Sequence, residues 1–360
     1  MDKTAINETQ SISNDNCGSV QSQDVPTAGC LFSGMGGFAS GFVRAGFAIH
    51  WASDCDRFAC DTIRHRLPNV SVVEKDVKEL SVTNDSLTNV DVVVAGFPCQ
   101  SFSMAGNRKG FDDPRGKLFF EIPRLLAEFQ PNDRPRLVVL ENVPHLLHGA
   151  DKSWFDKIRR ALRRAGYWFR EESCWTVNVK DVTELPQDRE RLIMVAASRQ
   201  HFRFNPFKPP IVPSDKAIKP GHVDDFIDRN QPADAQAYLP EENRYYKMIN
   251  AAMIAGESDK NIYQLRRSYV REKKHGLSPT LTANMGIGGH NVPFVRDAWG
   301  IRRLSIEEVA ALQGFDADEI LFPEIPTQKQ YRLLGNAVCV QLAHLVAYEC
   351  AAILKGEYLK

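Results

Sequence analysis

The sequence carries no excess of charge of either sign: 45 Lys and Arg balance 45 Asp and Glu, for a formal net charge of zero. A polyanionic partner must therefore be met by a local basic patch, not by the field of the whole chain. No apolar run approaches the ~20 residues that a membrane helix needs. The N-terminus lacks the basic-then-apolar pattern of a secretory signal. The eight cysteines (17, 30, 55, 60, 99, 174, 339 and 350) form no Cys-x-x-Cys pair and no Cys/His cluster with zinc spacing. No metal site is expected. A reducing, cytoplasmic compartment fits, with most thiols serving as small core residues.

The 360 residues suffice for one large core and a smaller one. Residues 1–26 are rich in Ser, Asn, Asp and Gln and read as a disordered tail. Strands and helices then alternate. Short apolar runs at Thr27–Phe32, Ala48–Ser53, Ser71–Val73, Val92–Ala95, Leu137–Leu140 and Arg191–Ala197 predict strands. Phe38–Ala45 predicts a helix. Trp154–Ala165 predicts another, with Phe155, Ile158 and Leu162 on one face and arginines on the other. This alternation implies an α/β fold with a doubly wound, mostly parallel sheet, whose ligands sit at the carboxyl ends of the strands. The pattern breaks after Ser198, and residues 205–240 are proline-rich. The expected division is a main domain of 27–197 and 331–360, a second, smaller and irregular domain of 198–300, and a hinge helix and connector over 301–330.

Chemistry-bearing residues cluster at the predicted strand ends. The turn Phe32-Ser33-Gly34-Met35-Gly36-Gly37 would let backbone approach a cofactor, although a tight strand–helix turn needs the same glycines. It matches the dinucleotide fingerprint poorly and lacks the Lys-Ser/Thr of a phosphate loop. A nucleotide-like cofactor without a demanding phosphate fits better. Asp54 and Asp76 are placed to accept from a ribose and from a base amino group; either alone is more often a strand-end cap. In Gly96-Phe97-Pro98-Cys99-Gln100-Ser101-Phe102-Ser103 the cysteine is held by a proline at a strand end and should face a cleft. Nucleophilic use requires the thiolate, so the site needs a local means of lowering the thiol pKa. Met104–Lys117 carries Gly106, Gly110, Gly116, Arg108, Lys109 and Arg115 and reads as a mobile lid over an anionic substrate, or as an ordinary surface loop. Glu141, in Glu141-Asn142-Val143, is a candidate to share a proton with a substrate ring. Arg189 and Arg191 enter a strand one residue apart and should point to the same side.

Taken in order, these motifs, with Asp113-Pro114-Arg115-Gly116, Gln187-x-Arg-x-Arg191 and Gly335-Asn336-Ala337-Val338, resemble the DNA (cytosine-5)-methyltransferases of bacterial type. The likeness spans about residues 28–196 and 276–342. It implies S-adenosylmethionine as cofactor, surrounded by Phe32, Ser33, Gly34, Gly36, Gly37, Asp54, Cys55, Asp76, Val77, Pro98, Leu118, Asn336 and Val338. It implies Cys99 as nucleophile, Glu141 as the group that holds and protonates cytosine, and Arg191 on the base carbonyl oxygen with Arg189 nearby. The loop Gln100–Lys117 would close on DNA, with Ser103, Arg108, Lys109 and Arg115 as contacts. In such enzymes the segment before the last motifs reads the sequence of double-stranded DNA. Here it holds Arg266, Arg267, Tyr269, Arg271, Lys273 and Lys274, followed by Thr282 and the glycines 286, 288 and 289, so Gly288 joins the expected contacts. The resemblance also implies a monomer working at the bacterial nucleoid, within a restriction-modification pair or as an orphan methylase. The departures are Cys30 for the usual Asp, Asp54 for the usual Glu, Cys55 for a bulkier residue, and Cys339 for the usual Pro. The first three bear on cofactor binding. Three alternatives stand beside this one. A tRNA methyltransferase is disfavoured by the basic segment. A catalytically dead homologue is disfavoured by the intact Cys99 and Glu141. A cysteine hydrolase lacks a recognisable activating histidine.

Overall fold

The computed structural model describes residues 25–103, 109–212, 218–286, 290–316 and 322–356. Most of the expected tail, residues 1–24, lies outside them. In chain order the first half runs β1 (Thr27–Leu31), α1 (Gly37–Arg44), β2 (Ala48–Asp54), α2 (Arg57–Arg66), β3 (Ser71–Glu74), β4 (Val92–Ala95), α3 (Pro114–Lys117), α4 (Glu121–Glu128), β5 (Leu137–Asn142), α5 (His145–His148) and α6 (Ser153–Arg164). There follow β6 (Tyr167–Trp168), β7 (Cys174–Asn178), α7 (Val179–Val182), β8 (Gln187–Asp188), β9 (Glu190–Ser198), α8 (Arg244–Ala255), β10 (Ile262–Leu265), β11 (Val270–Lys273), β12 (Ser278–Pro279), β13 (Val292–Asp297), β14 (Gly300–Arg303), α9 (Ile306–Leu312), α10 (Thr327–Asn336) and α11 (Val340–Leu354).

The main sheet has the order β3-β2-β1-β4-β5-β9-β6, with β7 also paired to β9. β3, β2, β1, β4 and β5 are parallel, and β9 runs antiparallel to β5. Such central strands are covered on both faces, which is why Val92–Ala95 and Leu137–Leu140 are apolar at every position. One face buries α4 and α6 through Leu125, Leu126, Phe155, Ile158 and Leu162. The other buries α1 and α11 through Phe38, Phe42, Leu342, Ala343 and Val346. The C-terminal helix thus docks back onto the first strands, and Gly41 is the contact point: a Cβ there would stand 2.5 Å from that of Ala343.

Chain order reverses at β1, which leads outward to β2 and β3 and then returns to β4 on its other side. The β1–β4 crevice is the topological switch point, where α/β sheets bind ligands. The glycine turn follows β1 and the Pro98-Cys99 loop follows β4, so both open at that crevice.

The segment after Ser198 is more ordered than its composition implies. It forms a four-stranded antiparallel sheet, β11-β10-β13-β14, with α8 packed on one face through Ile249 and Met253. Its other face supplies Ile262 and Val295 to a core shared with Leu304, Val309, Leu312 and Leu334. The β13–β14 hairpin runs across residue 300, where the sequence reading drew a boundary. A buried cation seals the junction: Arg302 pairs with Asp297 at 2.6 Å and Glu308 at 2.8 Å, while Glu308 and Ser305 form a capping box on α9. Among the described residues no single helix is long and apolar enough to cross a membrane, no His/Cys/Asp/Glu group could hold a metal, and all seven cysteines are free thiols.

Candidate active site

Cys99 lies half-buried just beyond β4. Its loop is splinted from the next strand. The fully buried Asn142, at the end of β5, donates Nδ2 to the Phe97 carbonyl at 3.1 Å, and its Oδ1 accepts from Val143 N at 2.9 Å. Beyond the cysteine, Phe102 N and Ser103 N both donate to the Cys99 carbonyl, forming a tight turn. Phe102 then anchors in a ring cluster with Phe97, Phe111 and Trp154.

Glu141, also on β5, is 8% exposed and meets Arg191 Nε at 2.6 Å. Gly96 brings these elements together: a Cβ there would stand 3.7 Å from Glu141 Oε2 and 3.5 Å from Val338. Burial raises the Cys99 thiol above its ordinary pKa, and the Glu141 charge raises it further. Arg191 and Arg189 pull the other way. The balance leaves the thiol raised in the free protein, chiefly through burial, against the expectation of a lowered one.

Arg189 corrects a second expectation. It is 2% exposed and does not face the crevice. Nη1 donates to the Leu281 carbonyl at 2.8 Å, and Nη2 donates to Ala337 at 2.9 Å and Gly335 at 3.4 Å. Burial pushes its guanidinium down to about 9. It ties the β9 entrance to the small sheet's loop and to the Gly335–Val338 segment, so its influence on Cys99 is electrostatic and positional.

The cofactor candidates line the same crevice. Phe32 heads the turn at φ 51°, a strained conformation for a bulky residue and the kind of outlier found at ligand clamps. Ser33 N and Oγ donate to the Ser53 carbonyl. Gly34 N donates to Asp54 Oδ2 at 2.8 Å, and Asp56 N donates to Oδ1 at 2.9 Å. Asp54 is raised above its usual range, chiefly by burial. Gly36 caps α1 at φ 91°. Gly37 permits the closest approach, since a Cβ would lie 2.2 Å from the Val338 carbonyl. Cys55 and Asp76 are exposed at the ends of β2 and β3, Pro98 and Leu118 are half-buried, and Asn336 is exposed beside the buried Ala337. Val77 instead buries its side chain in the sheet core. The cradle offers backbone and the carboxylates of Asp54 and Asp76, while the nearby Arg66 is engaged with the Met35 carbonyl and the Ser40 hydroxyl. Two carboxylate acceptors suit a group with hydroxyls, amines and a positive centre.

The expected lid is pinned at both described ends. Gly110 N donates to the Ser101 carbonyl, and Gly110 and Gly149 lie flat against the Trp154 ring, where a Cβ would stand 2.2–2.3 Å away. Arg115 makes a bidentate pair with Asp113, at 3.0 and 2.8 Å. Ser103 is half-buried and Lys109 exposed. Arg108 and Gly288 lie outside the described residues. In the small sheet Arg267, Tyr269 and Arg271 are exposed and Arg266 half-buried at the β10–β11 turn. Thr282 donates its hydroxyl to Asn284 Oδ1 at 2.7 Å, and Asn284 Nδ2 donates to the His290 carbonyl at 3.2 Å. Sequence reasoning missed Asn284, Gln264 and the role of Asn142: amides carry no signal until their partners are known.

A doubly wound, mostly parallel sheet whose glycine turn and Pro98-Cys99 loop open at its switch point is consistent with a Rossmann-like methyltransferase fold. The C-5 cytosine-specific DNA methylase model matches residues 29–352, and the chain belongs to that family. It is 37% identical over 321 residues to the type II methyltransferase M.Bsp6I of Bacillus sp. (strain RFL6), covering 88% of this chain and 96% of that protein. It is 31% identical to the type II methyltransferase M.Eco47II of Escherichia coli, covering 92% and 80%. In fold it is similar to the Entamoeba histolytica methyltransferase EhMeth, with a TM-score of 0.67 at 18% identity over 92% of this chain and 99% of that one.

Proposed function

We propose that this protein transfers a methyl group from S-adenosylmethionine to carbon 5 of a cytosine within a short sequence of double-stranded DNA, through a covalent bond between Cys99 and an extruded base. The observation that carries this reading is that Glu141 stands over Gly96 and pairs with Arg191 at the β1–β4 switch point, close enough to Cys99 for both charges to act on its thiol. Carbon 5 is a poor nucleophile and lies within the duplex stack, so the base must leave the helix. Cys99 Sγ then adds to carbon 6. Glu141, carrying a proton, donates to ring nitrogen 3, and Arg191 holds Glu141 and the base carbonyl oxygen. Neutralising the Glu141 carboxylate against the base removes one of the influences that raise the thiol; burial, the larger one, remains, opposed by Arg191 and Arg189. Phe32, Ser33, Gly34, Gly36, Gly37, Asp54, Cys55, Asp76, Pro98, Leu118, Asn336 and Val338 would hold S-adenosylmethionine, which supplies the electrophilic methyl that activated carbon 5 takes up. Loss of the carbon 5 proton to solvent, departure of Cys99 as the thiolate with the S–C6 bonding electrons, and return of the ring nitrogen 3 proton to Glu141 restore the aromatic ring.

The turn 266–269 and the loop 282–291 would read the site, in the bacterial cytoplasm, with a restriction endonuclease of the same specificity as a partner. Bisulfite sequencing of DNA from cells producing the protein tests target and activity together: one short motif carrying 5-methylcytosine is expected, and none with Cys99→Ser. Unmodified DNA from cells with folded wild-type protein would contradict the reading.

A further inference from the structure

The small sheet has two faces. Tyr263 and Leu265 of β10 point into the core under α8, so Ile262 and Gln264 occupy the opposite face. On β11 that face carries Lys273, opposite Ile262, and Arg271, opposite Gln264. Lys273 forms an ion pair with Asp188, immediately before Arg189 and the strand that bears Arg191. Arg271 therefore stands one side-chain repeat, roughly 6–7 Å, further along the same face toward the β10–β11 turn. The row leads from the catalytic wall to the turn that carries Arg266.

At its centre lies one buried neutral amide. Gln264 is 2% exposed. Its Oε1 accepts from Arg271 Nη2 at 3.0 Å and from Arg266 Nη1 at 3.4 Å, and its Nε2 donates to the Asn291 carbonyl at 3.5 Å. Asn291 N in turn donates to the Leu265 carbonyl at 2.6 Å, and Asn291 sits at φ 71°. Neither arginine has a carboxylate partner among the described residues. Both keep their full charge while their direction is fixed by a group that neutralises nothing.

We propose that Gln264 is the positioning residue of DNA-sequence selection: a single side chain that aims Arg266 and Arg271 and locks them in register with Asn291 at the start of β13. This rests on the reading of that segment as the DNA reader. An Arg that reads a base edge bidentately must hold its plane. A carboxylate in place of Gln264 would hold the plane but cancel the charge. An apolar residue would leave the charge and release the plane. Discrimination between sites, more than affinity for DNA, should therefore depend on the amide.

The test uses the full chain, with its target first mapped by bisulfite sequencing. Initial methyl-transfer rates are compared on 30-bp duplexes holding the mapped site and each single-base variant. Gln264→Leu should cut the ratio of target to best variant rate about tenfold, the lower range of one bidentate contact, chiefly by lowering the rate on the target, with a cooperative thermal transition showing that the variant is folded. Gln264→Asn, which keeps polarity but shortens the reach, should relax the ratio likewise and serves if the leucine variant does not fold. Gln264→Glu should lower DNA affinity and its salt dependence. Arg271→Ala is the control for the reader itself. If it alters target choice while both Gln264→Leu and Gln264→Asn discriminate like wild type, the proposal is overturned and the DNA-reading assignment stands. If neither Arg266→Ala nor Arg271→Ala changes target choice or affinity, the assignment falls and takes the proposal with it.

Discussion

Asn142→Ala isolates the splint beneath the Cys99 loop. Alanine removes the donor to the Phe97 carbonyl and the acceptor for Val143 N. A buried backbone group stripped of its partner costs about 1–3 kcal/mol. Phe97 is buried and meets that cost in full; Val143 is half-buried and recovers some of it from water. The expected loss is about 2–4 kcal/mol, against the roughly 5–15 kcal/mol of an ordinary domain, so the variant folds and can be assayed at low temperature. A displacement of about 1 Å at the reacting atom is worth on the order of a hundredfold in rate. Methyl transfer at saturating cofactor and DNA should fall by about that factor, with urea unfolding reporting the stability loss. Asn142→Asp separates geometry from size. The new carboxyl keeps the Val143 contact but turns an acceptor toward the Phe97 carbonyl. Burial beside that acceptor raises its pKa in the folded state above the unfolded value, so the variant gains stability as pH falls and loses it as pH rises. A wild-type unfolding midpoint together with turnover within twofold for Asn142→Ala would refute the splint.

Glu141→Gln removes a charge that raises the Cys99 thiol. Alkylation by iodoacetamide should quicken at pH 7 and its pH midpoint should move down, while methyl transfer falls by at least about a hundredfold; an unmoved midpoint would mean that Glu141 does not act on the sulfur. Gly37→Ala forces a methyl against the Val338 carbonyl. A stability loss of about 1–3 kcal/mol is expected, with weaker S-adenosylmethionine binding by calorimetry and intact DNA retention; unchanged cofactor affinity would separate this turn from the cofactor. Arg266→Ala with Arg267→Ala should weaken DNA binding and reduce the slope of log K against log salt by about 2, measured by fluorescence anisotropy; a loss of cofactor binding instead would misplace the DNA reader.

The first half of the fold was legible because its signals are local. Continuous apolar runs mark strands buried on both faces, and the chemical motifs sit directly after them, so Cys99 and Glu141 could be placed on strand ends without coordinates. The small sheet was not legible. Val270–Lys273 alternates with charges, Val292–Asp297 contains a proline, and no window there is apolar enough to announce a strand; the sheet exists because α8 and the α9–α10 core cover its two faces. Arg189 and Arg191 looked equivalent for a related reason. Spacing fixed their shared direction along the strand, but only the arrival of Leu281 and Ala337 from distant segments buries one and leaves the other on Glu141. The anchor of the 109–117 segment was hidden for the same reason, since Trp154, some 40 residues away, is what packs on Gly110.

The central claim is the sulfur–carbon bond. A duplex carrying 5-fluorocytosine at the mapped target blocks the final elimination, because fluorine cannot leave as the proton does. Incubation with S-adenosylmethionine, followed by proteolysis and mass spectrometry, should give a stoichiometric nucleotide adduct on the peptide containing Cys99. A preparation that methylates ordinary DNA yet yields no adduct, or yields it on another cysteine, would contradict the mechanism.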